Sequence, residues 1–567
     1  MIQNRPALVR CLFPILLSVL APSRETIAQD RVDADASEAT LGAAQRWIGQ
    51  QRFQKAVDAL EPLVAGDPSN GRAWYLLGNA LHGKGDFEKA LEAHLAAAAF
   101  PDQEGRAIYN AGCACARLDR KKDACEYLAR AVKLGGVDPV QMSQDADLQT
   151  IVNEPEFHHL FLASSYARPF VENVSVLREW RGEAAFDQFG WVARNIGDVD
   201  GDGKADVVTS SPSHEGGAGK VYVYSSGTGE LLWSMTGGPG HGLGLSTEEA
   251  GDVDGNGTPD TIVSAPGAAR AYVCDGKTGK VILELEGEST GDSFGRDVVG
   301  IGDLDKDGIV DLIVGAPKND GNGRDAGRVY VFSGKTGKVL HTWDGEGRGD
   351  AFGSTAAGWC DKNGILLAMG APNAGPGNRG RVYVHKDLSG TPAFVIDAAP
   401  TGGQLGSMFI SILGDADGDG HRDIYASDWS DNAEGPSTGR IVVHSGKTGE
   451  KLLDLHGEKA GDGFGIGPAD AGDVDGDGCA DLVVGAWRQG NAAPSGGKVY
   501  VHSGKGGRLL HTYSCQVPGD TFGFDATGLG DIDGDGTPDF LVTSAWSWTT
   551  GPRAGRVFVL SGRLAEK

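Results

Sequence analysis

Residues 291–343 read GDSFGRDVVGIGDLDKDGIVDLIVGAPKNDGNGRDAGRVYVFSGKTGKVLHTW. Four short stretches rich in β-branched residues stand between glycine-rich turns. One follows Phe294-Gly295, one ends at Gly315-Ala316-Pro317, one is Val329–Phe332 and one is Val339–Trp343. Such runs, bounded by turn residues, read as β-strands, here named A to D. Their short connections make neighbouring strands antiparallel. The landmark Phe/Leu-Gly pair returns at Phe189, Leu243, Phe294, Phe352, Leu405, Phe464 and Phe522. A period of roughly fifty to sixty residues means a solenoid, propeller or array. Seven four-stranded units over 174–567 specify a seven-bladed β-propeller.

Between strands A and B, six of the seven copies carry Asp-x-Asp/Asn-x-Asp/Asn-Gly-x-x-Asp. The oxygen-bearing side chains are Asp198, Asp200, Asp202 and Asp206; Asp252, Asp254, Asn256 and Asp260; Asp303, Asp305, Asp307 and Asp311; Asp415, Asp417, Asp419 and Asp423; Asp473, Asp475, Asp477 and Asp481; and Asp531, Asp533, Asp535 and Asp539. Two unit charges ~4 Å apart repel by about 1 kcal/mol in water and about 4 kcal/mol at an effective dielectric of 20. Four such groups on one tight loop therefore call for a hard cation, Ca²⁺ above all. The first, third, fifth and ninth residues would offer side-chain oxygens and the seventh its carbonyl. Up to six structural calcium ions are expected, each pinning an A–B hairpin. A strand follows each loop, with no flanking helix and no closing Glu, so these are not EF-hands. The fourth copy reads GWCDKNGILL and keeps only Asp361 and Asn363, so no metal is expected there.

Antiparallel alternation puts the A–B and C–D connections on one face of the disc and the B–C and D–A connections on the other. The metal face is thereby separated from a face left free for ligands. On that free face, strand B ends in Pro212, Pro266, Pro317 and Pro372 in four copies and in Trp429, Trp487 and Trp546 in three, with Trp548 two residues on. Arg488, Arg553, Asp428 and Asp431 are near in sequence. Tryptophan suits a binding hot spot or sugar platform, and it equally suits packing between blades; both readings stand. The last copy ends just after strand C. Val174–Trp180 has the pattern of a strand D, so the stretch 174–181 is expected to complete the last blade and leave no open edge.

Glu38 to Gly135 is helical in pattern and rich in Ala and Leu. At an offset of 34, Gly78 aligns with Gly112, Ala90 with Ala124 and Ala97 with Ala131; one step earlier, Phe53 and Ala56 align with Phe87 and Ala90. With Trp74 and Leu77, this resembles the tetratricopeptide repeat. The resemblance implies a concave face that holds a protein or peptide, unless the array is a spacer. Residues 138–165 look like a capping helical tail. The propeller copies resemble the FG-GAP repeat of the integrin α-subunit head, in which partners meet the face opposite calcium. The whole is thus multidomain, helical repeats over 38–135 followed by an all-β propeller.

Lys and Arg total 51 against 77 Asp and Glu, a net charge of −26, which argues against nucleic-acid partners. The six loops hold 23 of the acids. Arg5 and Arg10 precede the apolar run Cys11 to Ala21, as in a secretory signal peptide cut after Ala28, giving a leader of 1–28 and a secreted, periplasmic or cell-surface location. No later segment has the pattern of a membrane span. The eight Cys form no disulfide framework; Cys113 and Cys125 can bridge or pack as small helix residues. SGKTG, at Lys335 and Lys447, lacks the upstream Gly and following helix of a phosphate loop. Arg348-Gly349-Asp350 belongs to the repeat's own Gly-Asp-x-Phe-Gly register. No Ser-His-Asp order, zinc helix or catalytic carboxylate pair stands out. The leading reading is a calcium-binding, non-enzymatic recognition or adhesion protein. Its propeller would bind a surface protein or glycan and its helical repeats a second protein. The alternative is a secreted polysaccharide- or phosphodiester-processing enzyme with its active site on the propeller.

Overall fold

The computed structural model describes residues 24–134, 137, 142, 145–151, 157, 169–467 and 470–564. The expected leader lies outside the described residues as far as residue 23. The expected capping tail is described only at 142, 145–151 and 157; Ala146–Leu148 there form a short 3-10 turn. The chain divides into two compact units between Leu118 and Asp119.

The first unit holds five helices: α1 (Arg24–Gly49), α2 (Phe53–Gly66), α3 (Gly71–Lys84), α4 (Phe87–Ala97) and α5 (Glu104–Arg117). Each packs on the next. Asn70 caps α3 by accepting the Ala73 N–H at 2.9 Å, and Gly85 ends that helix in the left-handed region. Their core is small and aliphatic, with Ala56, Leu60, Leu77, Ala80 and Ala90 buried together. Close approach explains the small residues: a Cβ on Gly78 would lie 2.5 Å from the His94 ring of α4.

The second unit begins with α6 (Lys121–Lys133) and contains the propeller. Blade three shows the plan. Strand A is Val298–Gly302, B Asp311–Ala316, C Arg328–Phe332 and D Val339–Asp344, each antiparallel to its neighbour. Seven such sheets are present. Strand A of the sixth is split into Phe464–Ile466 and Asp470–Gly472. Strand B is buried along its whole length, whereas D alternates and forms the outer edge. The core is layered between blades. Ile313, Val329 and Val331 of blade three pack with Leu367, Met369 and Tyr383 of blade four. The landmark pair is the joint between them, since Phe352 bridges to Gly327 at the start of the preceding strand C, as Leu405 does to Gly380 and Phe522 to Gly497.

In blade seven, Val176–Arg181 pairs antiparallel with Arg556–Leu560, Trp180 opposite Val557. This strand also locks onto blade one. The Trp180 Nε1 donates to the Gly229 carbonyl at 2.9 Å, and its ring stacks on Tyr224 at 4.8 Å. The segment before it is anchored in a way the sequence pattern did not reveal. Phe170 bridges to Cys515 and packs on Phe522 and Phe558, while Glu172 accepts the Ser514 N–H at 2.6 Å. No cysteine among the described residues is in a disulfide, so Cys113 and Cys125 are not bridged; they are buried as small helix residues.

Trp180 therefore ties the closing strand to both neighbours. Trp180→Ala is expected to cost about 3–5 kcal/mol of stability, read as a lower urea midpoint of the full chain. An unchanged midpoint would show that closure does not rest on this strand.

Candidate metal loops and the opposite face

The ninth residue of each acidic loop is fully buried: Asp206, Asp260, Asp311, Asp423, Asp481 and Asp539 are all 0% exposed. Its two oxygens face two different segments. One accepts the N–H of the loop's second residue: Val199, Val253, Leu304, Ala416, Val474 and Ile532, at 2.7 to 3.0 Å. The other accepts an N–H from the C–D turn, Ser226, Gly276, Gly334, Gly446 and Gly504, or in blade seven, whose strand D is Val176–Arg181, from Gly562 just after strand C, at 3.0 to 3.2 Å. The A–B and C–D connections thus share one face, stitched by a carboxylate in six blades. Five of these positions carry Gly because the loop's eighth carbonyl leaves no room for a side chain; a Cβ on Gly334 would lie 1.9 Å from the Val310 oxygen. Burial raises the pKa of Asp206, Asp260, Asp423 and Asp539 to about 6, and burial raises Asp311 and Asp481 as well.

The first residue organises the loop itself. Asp473 accepts the Asp477 and Gly478 N–H groups at 3.0 Å each, and Asp475 accepts the Asp477 N–H at 3.2 Å. This folds the first, third and ninth carboxylates inward. Groups such as Asp198/Asp200/Asp206, Asp252/Asp254/Asp260, Asp303/Asp305/Asp311 and Asp415/Asp417/Asp423 offer ligand atoms all within 4.8 Å of one another. Oxygens on a shared Ca²⁺ stand about 2.3–2.6 Å from it, so opposite ligands span about 5 Å. The donor set and its spread fit a hard divalent cation. The fifth residue is outside these groups. Its carboxylate accepts the seventh residue's N–H, as Asp202 does from Lys204 at 2.9 Å, and Asn256 donates to Asp275 at 2.8 Å.

Blade four differs in backbone as well as sequence. Its strand A, Ala356–Asp361, meets strand B, Gly364–Ala371, through a two-residue turn, Asp361 pairing with Gly364. Leu367 pairs with His385 as Leu312 pairs with Phe332, so Leu366 stands where blade three has Asp311.

On the opposite face, Trp487 and Trp546 are half-buried and meet edge to face at 4.9 Å. Phe524 packs on both, at 5.7 and 6.1 Å, and Trp191 packs on Phe524 at 5.1 Å. Arg488 lies over Trp487 and Arg553 over Trp546, at 5.5 and 4.6 Å. Trp191 and Phe524 escaped the sequence reading; each directly follows its landmark Phe-Gly, which was the available signal. Trp429 is half-buried against the core between blades five and six. Trp548 does not belong to the row: it is 2% exposed and packs on Phe157 at 5.5 Å. Asp428 accepts the Gly403 and Gln404 N–H groups, and Asp431 accepts the Thr401 hydroxyl, so both brace loops. Around the central channel, Arg194 pairs with Glu248 and Asp525, and Asp297 accepts the Ala356 N–H at 2.9 Å, so channel carboxylates clamp adjacent blades.

Comparison with known families matches the tetratricopeptide repeat over 41–105 and 105–134, the FG-GAP repeat over 189–224 and 294–332, and the FG-GAP-like repeat over 473–542. Among curated relatives, integrin alpha-6 of Gallus gallus is 30% identical over 158 residues, 25% of this chain and 15% of the relative. Integrin alpha-5 of Xenopus laevis is 28% identical over 220 residues, 34% of this chain and 21% of the relative. Integrin alpha pat-2 of Caenorhabditis briggsae is 31% identical over 226 residues, 33% of this chain and 18% of the relative. The chain thus spans about a fifth or less of the length of these relatives. It carries tetratricopeptide repeats followed by an integrin-alpha-like FG-GAP propeller, an architecture of protein interaction.

The stitching role of the ninth carboxylate can be separated from metal binding. In chelator, Asp481→Asn turns one of the two acceptors, toward Gly504 or toward Val474, into a donor and should cost about 1–3 kcal/mol. Asp475→Asn in chelator should cost far less. Equal effects on denaturant midpoints would contradict the stitch.

Proposed function

We propose that the protein is an exported, non-enzymatic recognition protein whose calcium-pinned propeller binds a surface protein or glycan, while its helical repeats hold a second protein. The observation that carries this reading is the division of the disc. Acidic loops with cation-sized spacing lie on one face, and an aromatic–arginine patch lies on the other. The similarity to integrin alpha chains supports it. Export is supported by the basic-then-apolar N-terminus and by the abundance of calcium outside cells, and it points to a secreted, periplasmic or cell-surface protein. Among the described residues, no helix is long and apolar enough to cross a membrane.

Calcium would be held by the first, third, fifth and ninth side chains and the seventh carbonyl of each loop. It would neutralise the carboxylates and fix the A–B connection; the third- and fifth-position oxygens are the ones least committed to backbone partners. Along the opposite face, Trp487 and Trp546, with Trp429 beside them in the blade order, would supply the hot spot. The indole N–H groups of all three are buried, so a ligand would meet the exposed ring surfaces of these half-buried side chains.

Calcium should raise the melting temperature of the full chain, since a ligand of the folded state adds about 2.7 kcal/mol per site at 100 times its Kd. Asp475→Asn with Asp477→Asn should lower the bound calcium by one ion per chain, and Asp361→Asn should leave it unchanged. Equal melting with calcium and with chelator would refute structural calcium.

The calcium effect should also grow with pH. Burial pushes the ninth carboxylates above the usual value of about 3.9 in the metal-free fold, to about 6 at Asp206, Asp260, Asp423 and Asp539. Their contribution to metal-free stability is full below pH ~4 and is lost as pH rises toward 6. Calcium binds the ionised form, so its gain in melting temperature should be larger at pH 7.5 than at pH 5. A larger gain at pH 5 would contradict this.

Trp487→Ala should weaken capture of the protein on its native cell surface by about 2 kcal/mol or more with little change in melting. If the indole only packs between blades, the same variant should lose about 3–5 kcal/mol of stability instead.

A further inference from the structure

We propose a second ligand site on the metal face, in the gap that blade four leaves by lacking an acidic loop, and we assign it to an acidic sugar unit of a polysaccharide. A cavity of about 230 Å³ opens there between blades four and five. Its floor is Trp359, 40% exposed, with Ile365 beside it. Leu366, at the position of the ninth Asp, puts an apolar side chain in this wall where the other six blades bury a carboxylate. The two-residue turn at Lys362 and Asn363 is too short to cover it.

The rim is cationic in a chain of net charge −26. Arg422 lies 3.7 Å above the Trp359 ring, and Lys386 and Lys447 line the same cavity. The Arg422 guanidinium donates only to the Leu413 carbonyl, at 3.3 Å, and no carboxylate lies within ion-pair distance of it among the described residues. Lys386 donates to the Lys447 carbonyl at 2.7 Å and feels the Asp419 carboxylate without a contact ion pair. Lys447 is 3.7 Å from Asp419. A guanidinium stacked on an indole is held flat, and its fork suits an oxyanion such as carboxylate or sulfate. Asp361 and Asp419 act on these cations only from a distance or through Lys447, so the Arg422 and Lys386 donors can turn to a bound oxyanion.

The rest of the lining narrows the class. An exposed indole and Ile365 suit the apolar face of a ring, while Asn363 and Asp361 offer partners for hydroxyls. A uronate or sulfated sugar brings ring, hydroxyls and oxyanion together. An acidic peptide side chain brings the charge alone. This site is on the face away from Trp487 and stands independently of the recognition role proposed there.

The test uses the full chain in saturating calcium, titrated calorimetrically with oligogalacturonate, a sulfated dextran oligomer, neutral maltohexaose and poly-glutamate. Oligogalacturonate or the sulfated oligomer should bind, which of the two identifying the oxyanion, and maltohexaose should not. Arg422→Gln and Lys386→Gln should each weaken that binding ten-fold or more, Trp359→Leu should do the same, and Trp487→Ala should leave it unchanged. Lys386 is exposed, so its variant keeps the test valid if the Arg422 variant unfolds. Absence of binding to both acidic oligosaccharides, wild-type affinity in Lys386→Gln, or poly-glutamate binding as tightly as the saccharides would overturn the assignment.

Discussion

The propeller depends on one buried carboxylate used six times. The ninth loop residue sits at the start of strand B and accepts N–H groups from the A–B loop and the C–D turn together. Left without it, those buried donors would each cost about 1–3 kcal/mol. The cost of the arrangement is equally plain, because burial drives these carboxyls toward the protonated form, near pH 6 in four of the blades. The proposed calcium resolves that conflict by keeping the carboxylate ionised in place. The Gly of the C–D turn follows from the same packing, since the loop's eighth carbonyl leaves no room for a side chain.

That constraint also divides the molecule. Because the stitch joins the A–B and C–D connections, every acidic loop falls on one face, and the joints made by the landmark Phe-Gly pairs bring together strand C starts and the D–A connections. The opposite face is free to vary, which is where Trp487, Trp546, Phe524 and Trp191 gather. Blade four is the exception on the metal face. Leu366 replaces the buried carboxylate, the connection shrinks to two residues, and an indole with Arg422 stacked on it stands there instead.

The repeat period, the strand pattern and the acidic spacing were enough to read the seven blades, because each landmark is local in sequence. Face assignment was legible too, since it follows from antiparallel alternation alone. Other features depend on contacts between distant segments. The double bonding of Asp481 was hidden because its second partner, Gly504, is a turn residue in another connection. In sequence Trp548 extends the Trp429–Trp487–Trp546 row, yet four residues beyond strand B its side chain is buried against Phe157. Glu172 and Phe170 gave no pattern at all, because they bind the edge of blade six, more than three hundred residues away.

The central claim is that the acidic loops are cation sites built around a carboxylate stitch. A crystal structure grown in calcium, with ions identified by anomalous scattering, tests it most directly. The account predicts six ions, each touching the first, third, fifth and ninth residues of one loop, and none at Asp361 in blade four. Loops that keep this conformation with no ion bound at high calcium would contradict it.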